Sequence, residues 1–133
     1  LSTDASASEN TSANSEEDNK STESTNEETK QVSKEYQNAL AKAKSYSELM
    51  HMSKQRIYDQ LTSEYGEQFP KDAAQYAVDN VKADWNANAL EKAKDYQDTM
   101  NMSKERIYDQ LTSEYGEKFT KKQAQYAIDH LDD

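Results

Sequence analysis

Carboxylates are the side chains in this sequence most suited to binding a charged partner, and three of them recur at helical spacing late in the chain. Glu91, Asp95 and Asp98 stand at positions i, i+4 and i+7, which aligns them along one side of a helix. Such a line of negative charge attracts a basic segment and speeds its capture. Lys92 and Lys94 are neighbours that offset part of the charge, so an ordinary solvated helix face is the competing interpretation.

No arrangement typical of an enzyme accompanies these carboxylates. The chain has no cysteine, which excludes thiolate metal sites and cysteine nucleophiles. It has no zinc-protease helix, glycine-rich phosphate loop or calcium-binding loop. His51 and His130 occupy non-equivalent places in the tandem repeat that forms most of the chain. We therefore predict that the protein is not an enzyme and uses no cofactor, no metal ion and no small-molecule substrate.

The line of carboxylates belongs to the second copy of a tandem repeat. The segment 38–83 aligns with 88–133 at an offset of 50 positions, and about two positions in three are identical. Six basic residues balance six acidic ones in the first copy, whereas seven face ten in the second. This contrast suggests that one copy supports while the other holds a basic partner.

The candidate partner-binding residues are therefore taken from the second copy. Most are carboxylates, and the exception is a tyrosine that falls off the inner stripe of its helix. Core packing with an exposed hydroxyl is the alternative for that tyrosine. The full set is Glu91, Asp95, Asp98, Glu105, Tyr126, Asp129, Asp132 and Asp133.

Three helices are predicted in each copy from apolar residues at three-to-four-residue spacing. In the first copy the buried stripes are Leu40, Ala43, Tyr46 and Met50, then Ile57, Tyr58, Leu61 and Tyr65, then Ala74, Ala77, Val78, Val81 and Trp85. Ser53 is expected to cap the second helix, and Gly66 to end it in a left-handed conformation. Thr120 and Gln123 have the capping-box spacing, whereas Pro70 supplies no side-chain cap.

These elements predict an all-α protein with two tandem small three-helix domains, each resembling a helix-turn-helix. The predicted domains are 34–85 and 86–133, after a disordered spacer over 1–33 that is rich in Ser, Thr, Asn and Glu. The connection "ADWNANALEKA" contains neither Gly nor Pro. We therefore expect the last helix of the first copy to run nearly unbroken into the second copy and to form a stiff junction.

A helix-turn-helix also suggests DNA binding, but the charge argues against it. The net charge is −10, and the helix in "PKDAAQYAVDNVKADW" sets Lys71 and Lys82 against three aspartates. No basic face remains to meet phosphates, so we predict no nucleic-acid partner.

Several motifs recur in order in both copies, and the chain resembles the Ltp family of host cell surface-exposed lipoproteins. The motifs are A-L-x-x-A-x-x-Y from Ala39, M-S at Met52, L-x-S-x-x-G-x-x-F from Leu61 and A-x-Y-A from Ala74, with Trp85 ending the first copy. The lipobox cysteine and signal peptide of a lipoprotein are absent from the sequence, which begins at Leu1. We expect an upstream segment to have been removed.

The resemblance implies a phage-encoded lipoprotein on the outer face of a Gram-positive host membrane, held by an N-terminal lipid anchor. It further implies superinfection exclusion, in which DNA injection by a second tailed phage is blocked through its tape-measure protein, here by a basic segment. Two other classes remain open. One is a surface adhesin or wall-binding module, and the other is a regulator that mimics the charge of DNA.

Overall fold

The computed structural model describes residues 32–132, where all regular secondary structure is helical. The helices are α1 Lys34–Met50, α2 Lys54–Thr62, α3 Lys71–Asn80, α4 Trp85–Met100, α5 Lys104–Thr112 and α6 Lys121–Asp129. The prediction of an all-α protein with two three-helix repeats is confirmed. The predicted spacer lies outside the described residues except for positions 32 and 33, and its disorder stays a prediction.

Each repeat encloses a small apolar core of its own. In the first repeat α1 packs against α3, and in the second α4 packs against α6. Alanines predominate in these cores, and their small side chains let the helix backbones approach closely. The first core contains Ala39, Ala43, Met52, Ile57, Leu61, Ala73, Ala74, Ala77 and Val78, and the second Ala89, Ala93, Ile107, Leu111, Phe119, Ala124, Ala127 and Leu131.

The predicted helix caps are confirmed. The Ser53 hydroxyl accepts from the Arg56 amide at 3.1 Å and so satisfies one of the free amides in the first turn of α2. Thr120 and Gln123 form the reciprocal capping box at the start of α6. Pro70 precedes α3 without a side-chain cap.

The predicted end of the second helix is wrong. The helix α2 ends at Thr62, and Tyr65, expected in the core, is 92% exposed. The Ser63 hydroxyl accepts from the Tyr65 amide at 3.0 Å. This local hydrogen bond competes with continuation of the helix and begins a turn instead.

The reason for a glycine at position 66 also differs from the expected one. The left-handed residue of this turn is Gln68, with φ 61°, and no glycine of the described chain has positive φ. A Cβ atom added at Gly66 would stand 2.4 Å from the Gln60 carbonyl oxygen. Glycine is therefore required because two stretches of backbone approach closely, and not because of its φ angle.

The inner face of α1 is rotated from the predicted stripe. Ala39 and Ser47 are buried together with Ala43, whereas Met50 is 53% exposed. His51 follows in a left-handed conformation with φ 53°, so the chain leaves the helix just beyond Met50.

The expected unbroken helix between the repeats is also wrong. The helix α3 ends at Asn80, Val81 takes an extended conformation, and α4 starts only at Trp85. The Asp84 side chain accepts from the Ala87 amide at 3.0 Å and caps α4. A residue that caps a new helix favours an extended backbone, so the break needs neither Gly nor Pro. Trp85 still packs against the first core, although it begins the second repeat's first helix.

Candidate functional site

The three carboxylates at helical spacing all lie on α4. Asp95 and Asp98 are exposed, and Glu91 is half-buried. Glu91 pairs with Lys94 at 3.6 Å, one turn along the same helix. Pairs of this kind, about half exposed, contribute little to stability, so the Glu91–Lys94 pair does not account for this face as a structural feature. We call Glu91, Asp95 and Asp98 the α4 acidic face.

The other predicted carboxylates are distributed over the rest of the second repeat. Glu105 is exposed in the first turn of α5, where negative charge complements the helix dipole. On α6 the Asp129 carboxylate accepts from the Gln125 side-chain amide at 2.8 Å. The Asp132 backbone carbonyl accepts from the Gln97 side chain at 3.0 Å, which brings the chain's end beside α4. Asp133 lies outside the described residues.

Tyr126 is half-buried and has a local partner. Its ring stacks on the His130 imidazole with a centroid separation of 4.0 Å and an interplanar angle of 26°. The His130 Nδ1 lies 2.8 Å from the Tyr126 carbonyl oxygen. The stacked pair lies at the end of α6. The His130 imidazole covers one face of the Tyr126 ring, so only the remainder of that ring is accessible to a partner.

The predicted residues do not converge on a cleft. They lie on three helices and the terminal turn, and a hydrogen bond from the Gln97 side chain to the Asp132 carbonyl joins α4 to that turn. No group of three or more histidine, cysteine or acidic residues in the described part of the chain is placed to hold a metal ion. The arrangement suits capture of a partner at a surface.

A residue that the sequence analysis missed, Glu117, is the most enclosed carboxylate among the described residues, with 6% of its surface exposed. Its carboxylate accepts from the Tyr96 hydroxyl and from an Arg56 guanidinium nitrogen at 3.4 Å. The Lys92 ammonium lies 4.0 Å away. A buried carboxylate is tolerated only with such compensation.

The partner Arg56 belongs to the first repeat, so this cluster joins the two repeats. The same guanidinium nitrogen donates to the Gly116 carbonyl at 3.1 Å. The Ser53 hydroxyl donates to the Glu117 carbonyl, and Lys118 pairs with Asp59. The start of α2 therefore docks on the turn before α6.

A second contact between the repeats lies at the start of α4. Asn88 is buried, and its amide donates to the Ser47 hydroxyl at 2.9 Å and to the Met52 carbonyl at 3.0 Å. Both acceptors belong to the first repeat. The polar contacts of Asn88 and Glu117 thus hold the α4 acidic face in a defined position relative to the first repeat.

Enclosure beside Glu117 raises the pKa of one tyrosine, Tyr96. Burial, and next the hydrogen bond to Glu117, raises the pKa of Tyr96 to about 12. The neutral phenol is favoured because ionisation would put a second negative charge beside the carboxylate. Tyr96 therefore remains a hydrogen-bond donor throughout the physiological pH range.

Sequence reasoning missed Glu117 because its environment depends on contacts across 61 positions, between Arg56 and Glu117. The only available signal was the repetition of the arginine and the glutamate in both copies, at 56 and 106 and at 67 and 117. That repetition does not reveal which arginine contacts which glutamate. The sequence analysis therefore assigned no role to the carboxylates of this turn.

Comparison with known proteins identifies relatives for the whole helical part. The family model for host cell surface-exposed lipoproteins matches twice, over residues 34–81 and 84–131. A similar solved structure is that of Ltp, a superinfection exclusion protein from the Streptococcus thermophilus temperate phage TP-J34. It is 47% identical, the match covers 77% of this chain and 100% of that chain, and the TM-score is 0.70. No curated protein matches. The resemblance inferred from the motifs is confirmed.

Proposed function

Because this chain belongs to the family of host cell surface-exposed lipoproteins, we propose that it gives superinfection exclusion to a host that carries its phage. It acts at the outer face of the Gram-positive membrane and blocks injection of DNA by an incoming tailed phage. The observation that carries this proposal is the 47% identity to a phage superinfection exclusion protein over the whole of that chain.

The proposed target is a basic segment of the incoming phage's tape-measure protein. The α4 acidic face and the acidic end of the chain attract such a segment, while the first repeat, with its balanced charges, positions the second. Blocking is stoichiometric and needs no chemical step. Charge attraction of this kind weakens as salt is added, because exposed charges are screened.

Attachment to the membrane is proposed to come from an N-terminal lipid anchor ahead of the helical part. No helix between residues 32 and 132 has both the length and the hydrophobicity that a membrane span requires. A polar N-terminal spacer would hold the repeats away from the lipid surface, where a phage tail delivers its proteins and DNA.

The test is injection of phage DNA into host cells that display the lipid-anchored full chain. We expect adsorption of the challenging phage to be unchanged and injection of its DNA to fall. Reduced adsorption with strong binding of the protein to purified cell walls would support the wall-binding alternative and contradict the proposal. Cells that secrete the same chain without an anchor are the control for surface attachment.

A further inference from the structure

The contact between the two repeats joins unlike surfaces. The start of α2 in the first repeat docks on the turn that contains Gly116 and Glu117 in the second. Such a head-to-tail contact leaves one surface of each kind unused at the two ends. Within residues 32–132, the corresponding surfaces outside the junction are the turn with Gly66 and Glu67 and the side chains of Ser103 and Arg106.

The unused turn already has the shape of the occupied one. Glu67 accepts from the Tyr46 hydroxyl, just as Glu117 accepts from Tyr96. In both turns the glutamate amide donates to the carbonyl of the glutamine seven positions earlier at 3.1 Å. Lys42 lies 3.5 Å from Glu67, as Lys92 lies near Glu117. The turn with Gly66 and Glu67 thus has the conformation that accepts an arginine in the second repeat, although no arginine of the described chain is bonded to it.

What distinguishes the two turns is enclosure. The Glu117 side chain is 8% exposed beneath Arg56, whereas the Glu67 side chain is 23% exposed. The extra exposed surface is consistent with an acceptor whose arginine is missing. A guanidinium matches a carbonyl and a carboxylate placed side by side better than a lysine ammonium does.

Ser103 and Arg106 likewise repeat the donor surface that Ser53 and Arg56 form. Ser103 has φ −70° and ψ 159°, close to the −74° and 161° of Ser53. Its hydroxyl caps the Arg106 amide at 3.2 Å, the bond that Ser53 makes to Arg56 at 3.1 Å. Ser103 and Arg106 are both exposed. Ser103 and Arg106 therefore form a donor surface of the kind that the turn with Gly66 and Glu67 can accept.

We propose that Arg106 of one copy binds the Gly66 carbonyl and the Glu67 carboxylate of a second copy, so that chains associate head to tail. The contact pairs a first repeat of balanced charge with an acidic second repeat, which limits repulsion at the interface. Three contacts of the intramolecular junction change. Gln68 stands where Lys118 pairs with Asp59, and it would face Asp109. Gln97, which donates to the Asp132 carbonyl, stands where Ser47 accepts from Asn88, and Glu35 stands where Trp85 packs on the first core. The association is weaker than the junction, because no covalent link raises the local concentration.

Two complementary variants of the full chain test this proposal by sedimentation velocity in physiological salt. Arg106→Glu removes the donor surface and keeps the acceptor, whereas Glu67→Arg removes the acceptor and keeps the donor. Wild type is expected to gain mass progressively up to about 1 mM protein. Each variant alone stays monomeric, and their equimolar mixture stops at a dimer, because only one matching pair of surfaces remains.

Helix content and thermal unfolding of each variant show whether it is folded, and Glu67→Gln, which removes only the charge, replaces Glu67→Arg if the latter unfolds. Wild type that stays monomeric at about 1 mM overturns the proposal. Association of Arg106→Glu equal to wild type overturns it as well. An arginine-containing helical peptide that perturbs the NMR signal of Glu67 in a monomeric wild type would assign the turn to another protein and also overturn it.

Discussion

The Arg56 guanidinium of the first repeat lies 3.4 Å from the carboxylate of Glu117 in the second, and the same nitrogen donates to the Gly116 carbonyl. The equivalent glutamate of the first repeat, Glu67, has its tyrosine and lysine partners but no arginine from another repeat among its ion pairs. Two turns of nearly identical sequence therefore have different surroundings. That difference makes each a control for the other.

Removal of the buried carboxylate should destabilise the protein more than removal of its counterpart. We expect Glu117→Ala to lower the free energy of unfolding by about 2 kcal/mol, because Arg56 and Tyr96 lose their shared partner. Glu67→Ala should cost about 1 kcal/mol or less, since its turn is more exposed. Urea denaturation of both variants measures the difference. Equal losses would show that the contact between the repeats adds no stability.

The two glycines of the turns should tolerate no side chain. A Cβ atom at Gly66 would stand 2.4 Å from the Gln60 carbonyl oxygen, and one at Gly116 would stand 2.5 Å from that of Gln110. We expect Gly66→Ala to lower the free energy of unfolding by about 2 kcal/mol, because backbone must shift to relieve the contact.

The matched control for this substitution is a residue that does need positive φ. His51 has φ 53°. We expect His51→Gly to raise the free energy of unfolding by about 0.5 to 1 kcal/mol, because glycine adopts this conformation with less strain. Destabilisation by His51→Gly together with no effect of Gly66→Ala would contradict this account of the turn.

Stability should fall at alkaline pH through Tyr96. The unfolded tyrosine titrates near pH 10, and the native pKa of Tyr96 is raised to about 12. The native state therefore keeps a proton that the unfolded state loses. The stability due to this group is complete below about pH 10 and is lost as the pH rises toward 12.

An absorbance titration of tyrosinate measures this directly. We expect Tyr96→Phe to remove the ionisation step near pH 12, and Tyr65→Phe, at an exposed position, to leave that step in place. A step near pH 12 that persists without Tyr96 would contradict the assignment.

The sequence was sufficient to predict those parts of the fold that depend on neighbouring residues. Ser53, Thr120 and Gln123 cap helices through bonds within one turn, and spacing alone identifies them. The tandem repeat identified the two three-helix units. The alanines at 43, 74 and 77 were expected in the core and are buried there.

The sequence was insufficient where distant groups decide the structure, and also where a local side-chain hydrogen bond overrides the apolar pattern. Gly66 is needed because of the Gln60 carbonyl, and Tyr65 is exposed because a serine hydroxyl ends the helix early. The break before Trp85 arises from the Asp84 cap, for which the sequence analysis made no prediction. The burial of Glu117 depends on Arg56 from the other repeat. The side-chain hydrogen bonds of Ser63 and Asp84 compete with continuation of a helix, and none of these contacts follows from the spacing of apolar residues.

The central claim is that the α4 acidic face captures an incoming phage component, and charge reversal tests it most directly. The triple variant Glu91→Lys, Asp95→Lys and Asp98→Lys changes this face. The matched control places lysines at the equivalent first-repeat positions 41, 45 and 48. Injection of challenging-phage DNA is measured in cells that display equal amounts of each protein.

We predict that reversal on α4 reduces exclusion by about tenfold or more, a loss that corresponds to about 1.4 kcal/mol of binding. The first-repeat control should exclude as wild type does. Full exclusion by the α4 variant would contradict the claim and move the contact to another surface.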